Sequence, residues 1–248
     1  MRGRLGGLAA LAVVAVLALA GAACGVADPP GTLRVLAAAS LTEAFDELAR
    51  TFEARHPDVT VALSSGASSA LARQVVDGAP GDVLATADEA TMALVVAAGR
   101  VVSGPTVFAL NRLAVAVARG NPRGITGLAD LARPGLTVVL CAPEVPCGRA
   151  AAEALEAAAV DLRPASFEEH VKAVVSRVSL GEADAGLAYA TDVRAPGVEG
   201  VAVDDAHNVT TAYPVAVLRD TAAARAWVDH VQSPEGRQVL ARFGFAPR

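Results

Sequence analysis

Aromatic residues make up only 4% of this 248-residue sequence, so a stacking platform for sugars or bases is not expected. Lysine occurs once, at Lys172, and the net charge is −5; no basic surface of the kind that binds nucleic acid is present. Cysteine occurs three times, at Cys24, Cys141 and Cys147, in spacings that match no common zinc pattern, and His56, His170, His207 and His230 are scattered. Serine and histidine lack a nucleophile-elbow context, and Glu144 has no partnered acid, base or nucleophile, which argues against an enzyme. The longest apolar run, Leu8–Ala20, falls short of the roughly 20 residues that span a bilayer. Internal repeats are missing, and alanine richness is the only compositional bias. Asn208-Val209-Thr210 has the form of a glycosylation acceptor, but beside a bacterial-type export signal it reads as chance.

What is present begins with an address. Arg2 and Arg4 precede the Leu8–Ala20 run, and Gly21-Ala22-Ala23 then leads to Cys24, which together form an export signal over residues 1–23. Small residues directly before a cysteine resemble a bacterial lipoprotein cleavage site, although Gly21 stands where leucine is usual. Lipid on Cys24 would anchor the protein without a spanning helix, with residues 24–31, including Pro29-Pro30-Gly31, as a tether. Cys141 and Cys147 then remain as an exported pair six residues apart, which reads as a disulfide. The mature chain has 248 − 23 = 225 residues, enough for two modest lobes or one large domain.

The body alternates β-branched runs with helical periodicity. Strands are expected at Leu33–Ala37, Val59–Leu63, Val83–Thr86, Thr137–Leu140, Ala185–Ala188, Val198–Val203 and Val215–Leu218, with a further apolar run at Leu113–Ala118. Helices are expected at Leu41–Ala54, Ala70–Val76, Asp88–Ala97, Arg149–Ala158, Phe167–Ser179, Ala222–Val231 and Glu235–Phe243. This order predicts α/β architecture, with parallel sheets covered by helices on both faces and ligands beyond the carboxyl ends of the strands.

The strand-to-helix turns are therefore the candidate sites. Ala37-Ala38-Ala39-Ser40-Leu41-Thr42-Glu43 places Ser40 at an N-cap with Glu43 three residues on, the pattern of a capping box. Such a turn is either an ordinary capped helix or a cluster of free N–H groups that attracts anions. Ser68-Ser69, the turn from Cys141 to Gly148, and the helix start at Phe167–Val171 repeat the pattern. They offer hydroxyls and backbone N–H groups with little charge, and Arg73 lies a turn inside its helix. Neutral donors suit a fully deprotonated anion; one that keeps a proton at pH 7 would want an acceptor. Ser69 reads as a second N-cap candidate, Tyr189 as either core or donor, and Asp82 and Asp192 as braces for loops or caps.

Ala37–Thr42, Ala67-Ser68-Ser69-Ala70-Leu71-Ala72-Arg73-Gln74, Gly78-Ala79-Pro80-Gly81-Asp82-Val83, Val145-Pro146-Cys147-Gly148, Ala188-Tyr189-Ala190-Thr191-Asp192 and Phe243-Gly244-Phe245 together resemble the bacterial molybdate-binding proteins, the extracytoplasmic receptors of molybdate ABC importers. The resemblance runs in order from Leu33 to Phe245. It implies the type II periplasmic-binding-protein fold: two α/β lobes joined by two crossings, with the ligand cleft between them. Lobe 1 is then residues 32–108 and 212–248, and lobe 2 is residues 109–211. The resemblance further implies an oxyanion, molybdate or tungstate, held by hydrogen bonds alone. Its donors would be the hydroxyls and N–H groups of Ser40 and Ser68, the N–H groups of Cys147 and Val171, and the hydroxyl of Tyr189. Cys147 departs from the alanine usual in the family, a change a backbone donor tolerates.

The expected function is a monomeric, exported, lipid-anchored receptor that hands molybdate to a membrane permease. It needs no cofactor and no direct protein-to-metal ligand, because molybdenum would arrive as its oxyanion. The alternatives are a receptor for sulfate or a larger anionic solute, an anchored α/β hydrolase or transferase, and a ligand-sensing domain of a regulator. The export signal argues against the last.

Overall fold

A computed structural model describes residues 31–248; the export signal 1–23, Cys24 and the tether up to Pro30 lie outside the described residues. The first half runs β1 (Thr32–Ala38), α1 (Thr42–Arg55), β2 (Thr60–Gly66), α2 (Ser68–Val76), β3 (Val83–Ala85) and α3 (Glu89–Ala97), and then enters the long strand β4 (Ser103–Ala118). Next come β5 (Val138–Cys141), α4 (Pro146–Ala157), β6 (Ser166–Glu168), α5 (Val171–Ser179), β7 (Ala185–Tyr189) and β8 (Val198–Ala202). The chain closes with β9 (Thr210–Val217), α6 (Ala222–Gln232) and α7 (Pro234–Arg242).

The strands follow the order β2-β1-β3-β9-β4-β7-β5-β6, with β8 also on β4. The sheet is mixed rather than parallel as expected. β1 pairs in parallel with β2 and β3, and β5 with β6 and β7, but every pairing of β4 and β9 is antiparallel. Those two strands join the parallel groups. β4 pairs with β9 from Ser103 to Arg112, then with β7 and β8 from Leu113 onward. Only this second part was legible as an apolar run. The first part carries Gly104, Pro105 and polar residues and is only partly buried, so it lacks the signature of a central strand.

Burial follows helical spacing: α1 buries Ala44, Phe45, Leu48 and Phe52 on one face. The scarce aromatics are concentrated there and at the sheet. Trp227 of α6 meets Phe45 and Phe52 edge-on at 5.7 and 5.4 Å. Phe45, Phe108, Tyr213 and Tyr189 then continue as a chain of neighbouring rings. Edge-to-face packing adds to the area these rings bury, and the chain of rings leads to the ends of β1 and β7.

The helix expected over Phe167–Ser179 divides into β6 and α5. Phe167 and Glu168 extend alongside Leu140 and Cys141, and His170 caps α5 by accepting the Ala173 N–H on Nδ1 at 3.1 Å. Asp88 caps α3, accepting from the Thr91 N–H at 2.9 Å. The capping box at Ser40 does not form. Ser40 lies in a 3-10 turn, Ala39–Leu41, and α1 starts at Thr42 without a side-chain cap.

Candidate functional site

Four chain segments leave parallel strands and turn toward one point. They are the 3-10 turn after β1, the start of α2 after β2, the start of α4 after β5 and the start of α5 after β6. In the first two of these segments the residues at the strand ends and turns are small (Ala38, Ala39, Gly66, Ala67), so the backbones approach closely there. The first N–H groups of a helix have no partner within it, and the helix dipole adds partial positive charge there. Three such helix starts converge here, and the fold supplies a positive potential without an ionised side chain.

The cavity at this point is lined by Ser40, Ser68, Cys147, Val171 and Tyr189, all five residues singled out in the sequence, together with small apolar neighbours. It is tight: the centre of a water-sized sphere has about 10 Å³ in which to move. Ser40, Ser68, Cys147, Val171 and Tyr189 are all buried. Among the described residues, no Asp, Glu, Lys or Arg lines it. His170 does, although its sequence context assigns it no role; its place directly before Val171 is the signal that brings it here.

The hydroxyls have defined surroundings. Ser68 Oγ accepts the N–H of Ala87 at 3.0 Å, which leaves its own proton free to donate. Ser40 Oγ lies 2.9 Å from the Tyr213 hydroxyl. The Tyr189 hydroxyl is buried without a hydrogen-bonding partner among the described residues. A buried donor left in this state costs about 1–3 kcal/mol, so the hydroxyl is available to donate to an acceptor that enters the cavity. Burial drives the Tyr189 pKa well above the ordinary phenol value, and the group remains a neutral O–H donor. Ser69 lies instead in a larger groove outside this cavity, and neither it nor Ser68 caps α2 through its side chain.

The charges nearest the site are paired. Arg149 donates to Asp88 Oδ2 at 2.5 Å through Nη2, and to Thr91 Oγ1 at 2.7 Å. Lys172 donates to Glu43 at 2.7 Å and lies 3.2 Å from the buried Asp192. Glu43 is thus engaged in an ion pair and takes no part in capping. Asp82, expected as a brace, accepts the Arg34 N–H at 2.7 Å and Arg219 Nε at 2.5 Å.

Cys141 ends β5, Cys147 is the second residue of α4, and the two are disulfide-bonded with Cα atoms 5.7 Å apart. The bridge closes a seven-residue loop carrying Pro143 and Pro146. Loop-closure entropy assigns it ~2.4 kcal/mol as an upper figure, because the prolines already restrict the unfolded loop. We expect the unreduced protein to show no free thiol at these positions. Changing both to alanine should lower the melting temperature by at most about 5–10 °C, as read by thermal denaturation.

Comparison with known proteins places this architecture. Residues 33–246 match the model of the bacterial extracellular solute-binding protein family. The chain belongs to that family. A curated relative, the molybdate-binding protein ModA of Mycobacterium tuberculosis, is 40% identical over 251 residues, covering 97% of this chain and 96% of the relative. The solved periplasmic molybdate-binding protein of Azotobacter vinelandii superposes with a TM-score of 0.76 at 20% identity, covering 87% of this chain and 99% of that one. The sulfate-binding protein SubI of M. tuberculosis reaches the same TM-score at 21% identity, covering 87% of this chain and 86% of that one. The fold is therefore that of the periplasmic binding proteins, as the sequence motifs implied. At these identities the two solved structures speak for the fold alone, and the nature of the ligand must come from the site.

Proposed function

We propose that this solute-binding protein captures molybdate, and with it tungstate, through neutral hydrogen-bond donors and delivers it to the permease of an ABC importer. The observation that carries the reading is the buried Tyr189 hydroxyl, left without an acceptor in a cavity whose other polar groups also donate. The N–H groups of Ser40, Ser68, Cys147 and Val171 and the hydroxyls of Ser40, Ser68 and Tyr189 form the donor set. The 40%-identical relative with a molybdate-binding name supports the same reading. We assign the two lobes to residues 32–108 with 212–248, and 109–211, so that β4 and β9 are the crossings; the change of partner in β4 at Leu113 supports this. The protein works as a monomeric receptor without catalytic activity, held outside the cytoplasm by lipid on Cys24.

Calorimetry of the mature chain against molybdate, tungstate, sulfate and phosphate tests this reading. A donor-only cavity should bind molybdate and tungstate strongly and sulfate weakly, since tetrahedral anions of equal charge differ mainly in size. Phosphate should hardly bind, because its remaining proton at pH 7 would face another donor. Ser68→Ala should weaken molybdate about ten- to a hundredfold, the cost of one hydrogen bond to a charged group. Phosphate binding comparable to molybdate would defeat the proposal, and sulfate binding tighter than molybdate would reassign the ligand.

A further inference from the structure

Ser40 is not left to choose whether it donates or accepts. Its hydroxyl sits at the end of a buried chain whose direction is set from the far side. Asn111, on β4, uses its side-chain oxygen to accept the backbone N–H of Arg112 at 2.9 Å. A backbone N–H can only donate, so the other arm of the Asn111 amide is the NH₂ group. That group donates to Thr191 Oγ1 at 2.9 Å and to the Tyr213 hydroxyl at 3.3 Å. An amide nitrogen has no lone pair to offer in return, so the Tyr213 proton cannot point at Asn111. The neighbouring Tyr189 hydroxyl makes no hydrogen bond by geometry, so the bonded partner on the other side is Ser40 Oγ, 2.9 Å away. Tyr213 therefore donates to Ser40, and the Ser40 proton is displaced toward the cavity.

We propose that Asn111 and Tyr213 are positioning residues that hold the Ser40 hydroxyl as a donor, and that they thereby select against oxyanions that keep a proton. The proposal rests on the oxyanion reading of the cavity given above. All three members are buried, so water does not compete for these bonds. Burial also raises the Tyr213 pKa above the ordinary phenol value, with the Asp192 carboxylate adding to the effect, so the phenol keeps its proton throughout the working range. Ser68 receives the same treatment by a shorter route, from the Ala87 N–H. Tyr213 and Asn111 lie on the two strands that connect the parallel halves of the sheet, and neither lines the cavity. They act on the ligand through Ser40.

The test is a double-mutant cycle on the mature protein, with Tyr213→Phe, Ser40→Ala and the pair, each titrated calorimetrically with molybdate, tungstate, sulfate and phosphate. Phenylalanine keeps the ring packing and removes only the directing hydroxyl, so the Ser40 hydroxyl becomes free to rotate and to accept. Tyr213→Phe should weaken molybdate about three- to tenfold while strengthening phosphate, so that their affinity ratio falls by more than tenfold. In the Ser40→Ala background the same change should alter neither affinity by more than about twofold. An equal effect in both backgrounds, or a loss of molybdate affinity with no gain for phosphate, overturns the proposal by making Tyr213 a packing residue. Should Tyr213→Phe fail to fold, Asn111→Ala enters the same cycle with the same two outcomes. A wild-type protein that binds sulfate but not molybdate overturns the ligand assignment, and the cycle run on sulfate still decides the role of Tyr213. A wild-type protein that binds none of the four anions overturns both.

Discussion

Gly148→Ala should remove most oxyanion binding and lower stability at once. A Cβ at this position would lie 1.9 Å from the Ala142 carbonyl oxygen and 2.8 Å from that of Cys141. Both are backbone atoms of the loop that the disulfide closes, so no side chain can swing aside to make room. The loop and the first turn of α4 must separate, and overpacking of this kind costs typically about 1–3 kcal/mol. The displaced turn carries the N–H of Cys147, one of the proposed donors, and a hydrogen bond to a charged ligand is worth about 1.5–3 kcal/mol. Molybdate affinity should therefore fall at least ten- to a hundredfold in a protein that still folds, with a lower melting temperature. Gly181→Ala is a control that changes a glycine with nothing within 4 Å of its new Cβ; left-handed strain there should cost stability without touching affinity. If Gly148→Ala binds molybdate as the wild type does, Cys147 is not a donor.

The comparison of sequence with structure separates local signals from distant ones. The strand–turn–helix at Leu33–Phe52 could be read directly, because both the β-branched run and the 3.6-residue spacing lie within one stretch. Val171 lines the cavity, although its helix starts there and not at Phe167. The misreadings at Ser40 and Glu43 have a common cause. Locally the two residues satisfy the capping-box pattern, but each has a better partner far along the chain. Ser40 is taken by Tyr213, 173 residues away, and Glu43 by Lys172, 129 residues away. Distance also hid the Arg149–Asp88 pair, whose members stand 61 residues apart. Asn111 was hidden for a different reason: it sits in the half of β4 that did not read as a strand at all.

Lys172→Met should lower stability substantially, and its cost should grow with pH. Asp192 is fully buried, and desolvation raises its pKa from 3.8 to about 6 even with the Lys172 ammonium 3.2 Å away pulling it back down. Lys172 is itself raised, because its attraction to Asp192 and Glu43 outweighs its own partial burial. Removing the lysine leaves a buried carboxylate without its counter-charge, a change that costs about 3–5 kcal/mol where the carboxylate stays ionised. The folded Asp192 pKa lies above its unfolded value. Its favourable contribution is thus complete below about pH 4 and is lost as pH rises toward 6 in the wild type. Without Lys172 the folded value moves higher still, and the loss continues beyond pH 6. The two proteins should differ least near pH 5, where Asp192 is largely protonated in both folded states, and most near pH 8. Chemical denaturation at these two pH values measures the difference. Adding Asp192→Asn to Lys172→Met should restore most of the stability at pH 8 and flatten the pH dependence, because no buried charge then remains to be compensated. A deficit equal at pH 5 and pH 8, or one that the second substitution fails to relieve, would mean that Lys172 contributes through the packing of its aliphatic stem and not through its charge.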